Sequence, residues 1–178
     1  MQQDKDQLEQ ALKYTIPEYP DKCIERRILL KQETKVLNSL ITRHVKEKNY
    51  EKTLSVWSEV IKSYQKNVLY GYVRYDEYNM VLVNYISMLG SNKRYEESTK
   101  MAYESISHFL KLGTLERIAR CCYNISWNRE QEMIKKHQTT EKDSICENKL
   151  KQALVIANMI KDSFYIQFLK EYGTMIKE

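Results

Sequence analysis

Tyr78, Val81, Leu82, Tyr85, Ile86 and Leu89 recur at i, i+3, i+4, i+7, i+8 and i+11. That spacing lays one apolar stripe along a helix. Gly90-Ser91-Asn92 breaks the pattern, and after Tyr95-Glu96 a second stripe begins with Ala102, Ile106, Phe109 and Leu110. The stretch reads as helix, short polar turn, helix. Neither helix can bury its stripe alone, so the chain must supply further helices to cover them.

It does so on both sides. Leu37, Leu40, Ile41, His44 and Val45 carry the same spacing within a helix expected from about Lys22 to Lys48, with Asp21 as its N-cap. Val56, Trp57, Val60, Ile61 and Tyr64 mark the next helix. Beyond the central pair, Thr114 is placed to cap a helix carrying Leu115, Ile118, Ala119, Cys122 and Ile125. The polar stretch from Lys135 to Ser144 reads as a loop. A capping-box pattern at Thr140 and Asp143 marks a restart. Leu150, Ala153, Leu154, Ala157 and Ile160 follow. Asp162 or Ser163 opens a last helix with Tyr165, Phe168, Leu169, Tyr172, Met175 and Ile176. No segment holds a period of two. Four Gly and two Pro in 178 residues leave few breakers. The expectation is an all-α fold of about seven or eight helices with no sheet.

Both prolines, Pro17 and Pro20, lie in one segment that follows a short amphipathic stretch at residues 4–14. Residues 1–20 are therefore expected to be a lead-in helix and linker, and residues 21–178 the helical domain. No apolar run approaches the roughly 18–20 residues of a membrane span. The amino terminus lacks the apolar core of a signal peptide. A cytoplasmic protein without a membrane segment is expected. The net charge of +5 is spread among acidic residues, as in Lys22 to Lys35 with Glu25 and Glu33, which is the pattern of solvated helix faces. A nucleic-acid surface would be more one-sided.

Cys23, Cys121, Cys122 and Cys146 form no C-x-x-C, and none has zinc-site spacing to His44, His108 or His137. They read as small apolar residues. No Gly-rich phosphate loop, nucleophile motif or apolar carboxylate pair is present. The chain is expected to be no enzyme and to need no metal or cofactor.

Leu37 to Ile61 and Leu82 to Ile106 share one plan: an apolar helix, a turn ending in Tyr-Glu, a second apolar helix. Tyr50-Glu51 and Tyr95-Glu96 lie 45 residues apart, and the small residues Thr53 and Ser98 follow three positions later, where helices approach closely. Matching hairpins predict a solenoid. The pattern resembles the tetratricopeptide repeat, with Leu82, Tyr85, Ile86 and Leu89 at its first-helix positions and Tyr95, Ser98 and Ala102 at its turn and second helix. It departs from that repeat in its longer spacing, in Ala102 where Trp57 stands in the first hairpin, and in a late Gly90. The resemblance implies a right-handed superhelix of antiparallel helix pairs.

The third unit, Cys122 to Glu132 followed by Leu150 to Tyr165, is similar to the carboxy-terminal repeat domain of helix-turn-helix transcription regulators of Gram-positive bacteria. Within that group it resembles the Rgg and PlcR types, whose repeats bind short signalling peptides in quorum sensing. The resemblance covers roughly residues 26–176. It implies a peptide-binding regulatory domain and a homodimer, with DNA contacted only through an amino-terminal module. Residues 1–20 have no room for that module, so the chain is expected to be either a fragment of such a regulator or a stand-alone relative. The competing expectation is a scaffold that docks a larger protein; a nucleic-acid groove is the weaker third.

In a repeat of this kind the first helix of each pair lines the concave face. Asn38, Asn84 and Asn124 fall on such helices, and members of the resembled group hold peptide backbone with asparagines there. An amide suits that task because it both donates and accepts. Ser87 and Trp127 are expected on the same face, although Trp127 fits a core position equally well. Arg43, Arg117 and Arg120 are the candidates to meet a peptide carboxylate. The last helix is apolar and aromatic to its end, and a second copy of the chain is the expected cover for it.

Overall fold

A computed structural model describes Gln7, Gln10, Tyr14, Ser39, Glu47, Glu51, Leu54, Ser55 and residues 57–62, 75–136 and 143–175. The expected linker and the boundary after residue 20 lie outside these residues, and of the helix expected over Lys22–Lys48 only Ser39, which is helical, and Glu47, which is in a turn, are described. The fold is all-α, with no strand among the described residues. Gln7, Gln10, Tyr14 and residues 57–62 are helical. Five bounded helices follow: α1 (Tyr75–Ser91), α2 (Tyr95–Leu112), α3 (Leu115–Lys135), α4 (Ser144–Met159) and α5 (Ser163–Met175). The chain divides into two compact units, Met1–Tyr85 and Ile86–Glu178, with the boundary inside α1.

In the first unit Leu54, Trp57, Val60 and Ile61 are buried, as the stripe at Trp57 requires. On α1, burial extends beyond the expected stripe to Asn79, Val83 and Met88. From Tyr78 onward only Met80, Asn84, Ser87 and Ser91 of this helix keep appreciable exposure, at i, i+4, i+7 and i+11.

The second unit is built from helix pairs. Successive helices run antiparallel: Asn128, late in α3, reaches Ser98, early in α2, and Ser126 of α3 meets Cys146 at the start of α4. Helices two apart run parallel. Ser87 of α1 meets Asn124 of α3, 37 residues on, and Glu130 of α3 meets Tyr172 of α5, 42 residues on. Lys149 of α4 lies over the ring of Tyr103 of α2. So the end of α1, α3 and α5 share one layer, and α2 and α4 the other.

The turns explain the register. α1 runs through Gly90 to Ser91 rather than stopping at the glycine, and Lys93 takes the left-handed φ of 61° that lets Arg94 N bond back to Leu89 O. Gly113 ends α2 at φ 69° in the αL conformation that a Cβ disfavours. Thr114 precedes α3 but makes no side-chain cap; its hydroxyl turns back to donate to Phe109 O. Asp162 Oδ1 accepts from Tyr165 N and caps α5.

The N-cap of α4 is Asp143, whose Oδ1 accepts from Cys146 N at 2.9 Å while Arg129 Nε donates to Oδ2 at 3.0 Å. Thr140 lies outside the described residues. Burial disfavours the Asp143 charge, but the bonds from Cys146 N and Arg129, the Arg129 charge and Ile145 N outweigh it and hold the carboxyl below its ordinary value. Asp143→Ala is expected to cost about 1 kcal/mol in urea unfolding at pH 7. A depressed folded pKa contributes stability above the unfolded value near 3.9 and loses it as pH falls through the folded value. The variant should therefore converge on the parent protein in acid.

Candidate functional site

Asn38 and Arg43 lie outside the described residues. Asn84 is on the unburied strip of α1, half-buried and engaged in interactions of its own. Within the second unit, Ser87, Asn124, Arg120 and Trp127 come together on the layer of α1, α3 and α5.

Ser87 and Asn124 form a closed pair. Ser87 Oγ donates to Asn124 Oδ1 at 3.2 Å, and Asn124 Nδ2 lies 3.1 Å from the same hydroxyl and 3.0 Å from Arg120 O. Asn124 is only 5% exposed. Its amide is satisfied inside the protein, so it acts on a ligand only by orienting Ser87, which stays half-buried at the surface.

Arg120 lies one turn before Asn124 and remains accessible. Its Nε donates to Glu116 Oε1 at 3.1 Å, and its guanidinium carbon stands 5.2 Å from the centre of the Tyr165 ring. The side chain is 42% exposed. Held between a carboxylate and an aromatic face, it keeps further guanidinium donors for an incoming carboxylate. Arg117 sits beside it at 3.6 Å from the same Glu116.

Trp127 is half-buried. Its ring meets Tyr95 edge to face at 6.0 Å, and its Cζ3 lies against Gly90. It thus joins the α1–α2 turn to α3 while leaving part of its surface open.

An aromatic seam between α3 and α5, not singled out from the sequence, completes the face. Tyr123 packs edge to face on Phe168 at 5.1 Å and on Tyr172 at 5.0 Å. Tyr165 stacks on Phe168, and Tyr172 OH donates to Glu130 Oε2 at 2.6 Å. Burial, reinforced by Glu130, pushes the Tyr123 phenol up to about 12. The seam's signal lies in the spacing of Arg120, Tyr123, Trp127 and Glu130, which falls beside rather than on the apolar stripe of α3.

Cys121, Cys122 and Cys146 are buried free thiols, each pushed up by burial. Burial and Lys111 lower the His108 pKa, which keeps it neutral at pH 7. Among the described residues no three His, Cys, Asp or Glu side chains gather as a metal site, and no helix is long and apolar enough to cross a membrane. Comparison with protein-family models, curated proteins and solved structures found no match.

Proposed function

We propose that the chain is a recognition module of stacked helix pairs that holds a short peptide, or an extended segment of a protein, along the face of α1, α3 and α5. The observation that carries this reading is the accessible face formed by the end of α1, α3 and α5. It presents Ser87, Arg120, Trp127 and Phe168 side by side, mixing hydroxyl, guanidinium and aromatic surface. Aromatic rings supply area at low entropic cost, and the guanidinium takes a carboxylate bidentately. Parallel stacking of helices two apart fits a right-handed tetratricopeptide-like superhelix of seven or eight helices. On the resemblance to Rgg and PlcR regulators, the module is the sensing part of a homodimeric cytoplasmic transcription regulator, and peptide binding alters its curvature or dimer geometry.

The test is a thermal shift with the small-peptide fraction of the host's culture medium. A ligand well above its dissociation constant should raise the melting temperature by about 5 °C. Protease treatment of the fraction should abolish the rise. Arg120→Ala should weaken binding of the isolated peptide about tenfold, the worth of one charge-assisted hydrogen bond. No shift from a fraction active on the host itself would shift the assignment to a scaffold for a larger protein.

A further inference from the structure

The second layer carries a different surface. α2 and α4 lie side by side above α3, bridged where Lys149 Nζ sits 5.0 Å over the centre of the Tyr103 ring. Beside this bridge is a groove of about 470 Å³. Ile118 and Cys122 of α3 form its floor, and Ile106 and Leu110 of α2 face Val155 and Ile156 of α4 across it. The floor is buried, but Leu110 is 62% exposed and Val155 59%. Two large aliphatic side chains are therefore held in water on opposite rims of an apolar trough.

The charge around it is one-sided. Lys149 and Lys151 line the groove, and no carboxylate does. Lys151 reaches Glu147 at 3.4 Å. Lys149 donates to Gln152 Oε1 at 3.0 Å, and among the described residues no carboxylate pairs with it.

The walls are helices, and their mid-helix backbone groups are already bonded. An extended strand laid there would find no partners for its own N–H and C=O groups, whereas a helix brings its own. On α4 the groove runs from Asn148 to Ile156, about 12 Å at 1.5 Å per residue, or roughly two helical turns.

We infer that this groove docks an amphipathic helix of a partner protein, with apolar residues at i, i+3 or i+4 and i+7 between Leu110 and Val155, and a carboxylate at the end that meets Lys149. This inference does not rest on the peptide reading of the α1, α3 and α5 face.

The experiment selects a display library of helical 15-residue peptides against the full chain. Binders should share the apolar spacing and carry Asp or Glu at one end. Leu110→Ser and Lys149→Glu should each weaken a selected synthetic peptide at least about tenfold. The melting temperature should stay unchanged in Leu110→Ser, whose side chain is 62% exposed, and fall only slightly in Lys149→Glu, which gives up the contact with Tyr103. Reversing the peptide's acidic residue to Lys should restore binding to Lys149→Glu. Arg120→Ala should leave it unchanged, so the two faces fail or succeed separately. Three results overturn the inference: no enriched helical binder, binders indifferent to both substitutions, or binders without acidic residues. Self-association of the free chain that Leu110→Ser abolishes would also overturn it, by assigning the groove to a second copy.

Discussion

Replacing Asn128 with aspartate is expected to cost the fold about 3–4 kcal/mol at neutral pH and far less near pH 4, the size of an uncompensated buried charge. Asn128 is fully buried. Its Nδ2 donates to Ser98 Oγ at 2.8 Å and to Thr99 Oγ1 at 3.2 Å, and Ser98 Oγ donates onward to Ile86 O at 2.7 Å. One short chain of bonds thus ties α3 to α2 and to the carboxyl-terminal half of α1. A carboxylate cannot donate, and the Ser98 proton is already committed to Ile86 O. The substitution buries a charge that only the Thr99 hydroxyl can turn to meet, and it leaves Ser98 Oγ without its donor. Protonation restores a donor in the same place. The introduced group's folded pKa therefore lies above its unfolded value near 3.9. Its stability is fully present below that unfolded value and is lost as pH rises through the folded one. Urea unfolding at pH 7 and at pH 4, against the parent protein at each pH, reads this directly. Asn128→Leu, which removes the amide without adding charge, should cost markedly less at pH 7 than Asn128→Asp. An equal loss at both pH values for Asn128→Asp would mean that water reaches the position and that the bond chain does not seal the layers.

The sequence shows this lock only in part. Ser98 is legible as a small residue where helices approach, because it follows the Tyr95 turn at the spacing seen after Tyr50. Asn128 is not, since a 3.6-residue period marks apolar residues and says nothing about an amide buried between them. The stripes themselves are legible: Ile118, Ala119, Cys122 and Ile125 on α3, Ala153 and Ala157 on α4, and Tyr165, Leu169 and Tyr172 on α5 are all buried. Leu110 and Phe168 share their helices' stripes yet remain 62% and 37% exposed. Periodicity gives the direction a side chain points, but not whether a neighbouring helix extends far enough to cover it. The candidate face divides the same way. The sequence puts Asn84, Ser87 and Asn124 on one face with Asn84 in register with Asn124, whereas in the structure it is Ser87 that meets Asn124. Only the bond lengths show that they satisfy each other, which moves the outward chemistry to Arg120 and the aromatic seam. Gly90 is the sharpest case. Glycine reads as a breaker, but here it lies inside α1 because another helix comes too close for any side chain.

That close approach makes Gly90→Ala informative in sign as well as size. In an open helix the change gains about 1 kcal/mol, because alanine loses less backbone entropy. At Gly90 a Cβ would stand 2.5 Å from Asn128 Oδ1, 2.9 Å from Trp127 Cζ3 and 3.4 Å from Trp127 Cε3. Neither neighbour can retreat cheaply. Asn128 is tethered through its amide nitrogen to Ser98 and Thr99, and Trp127 is braced by the edge of Tyr95. The methyl must push α1 away from α3, and the expected loss is about 3 kcal/mol, at the upper end for an overpacked core. For a chain of this size that lowers the melting temperature by roughly 6–12 °C. In an Asn128→Ala background the same change should cost at least about 1 kcal/mol less, because the nearest clash is gone and the two effects are coupled. A melting temperature that rises in the single variant would refute the close approach of α1 and α3. The consequence reaches the candidate face, since Ser87 lies one turn before Gly90 and its bond to Asn124 depends on the same helix spacing. Gly90→Ala should therefore weaken ligand binding through Ser87 even where the variant remains folded, whereas binding in the groove of α2 and α4 should persist.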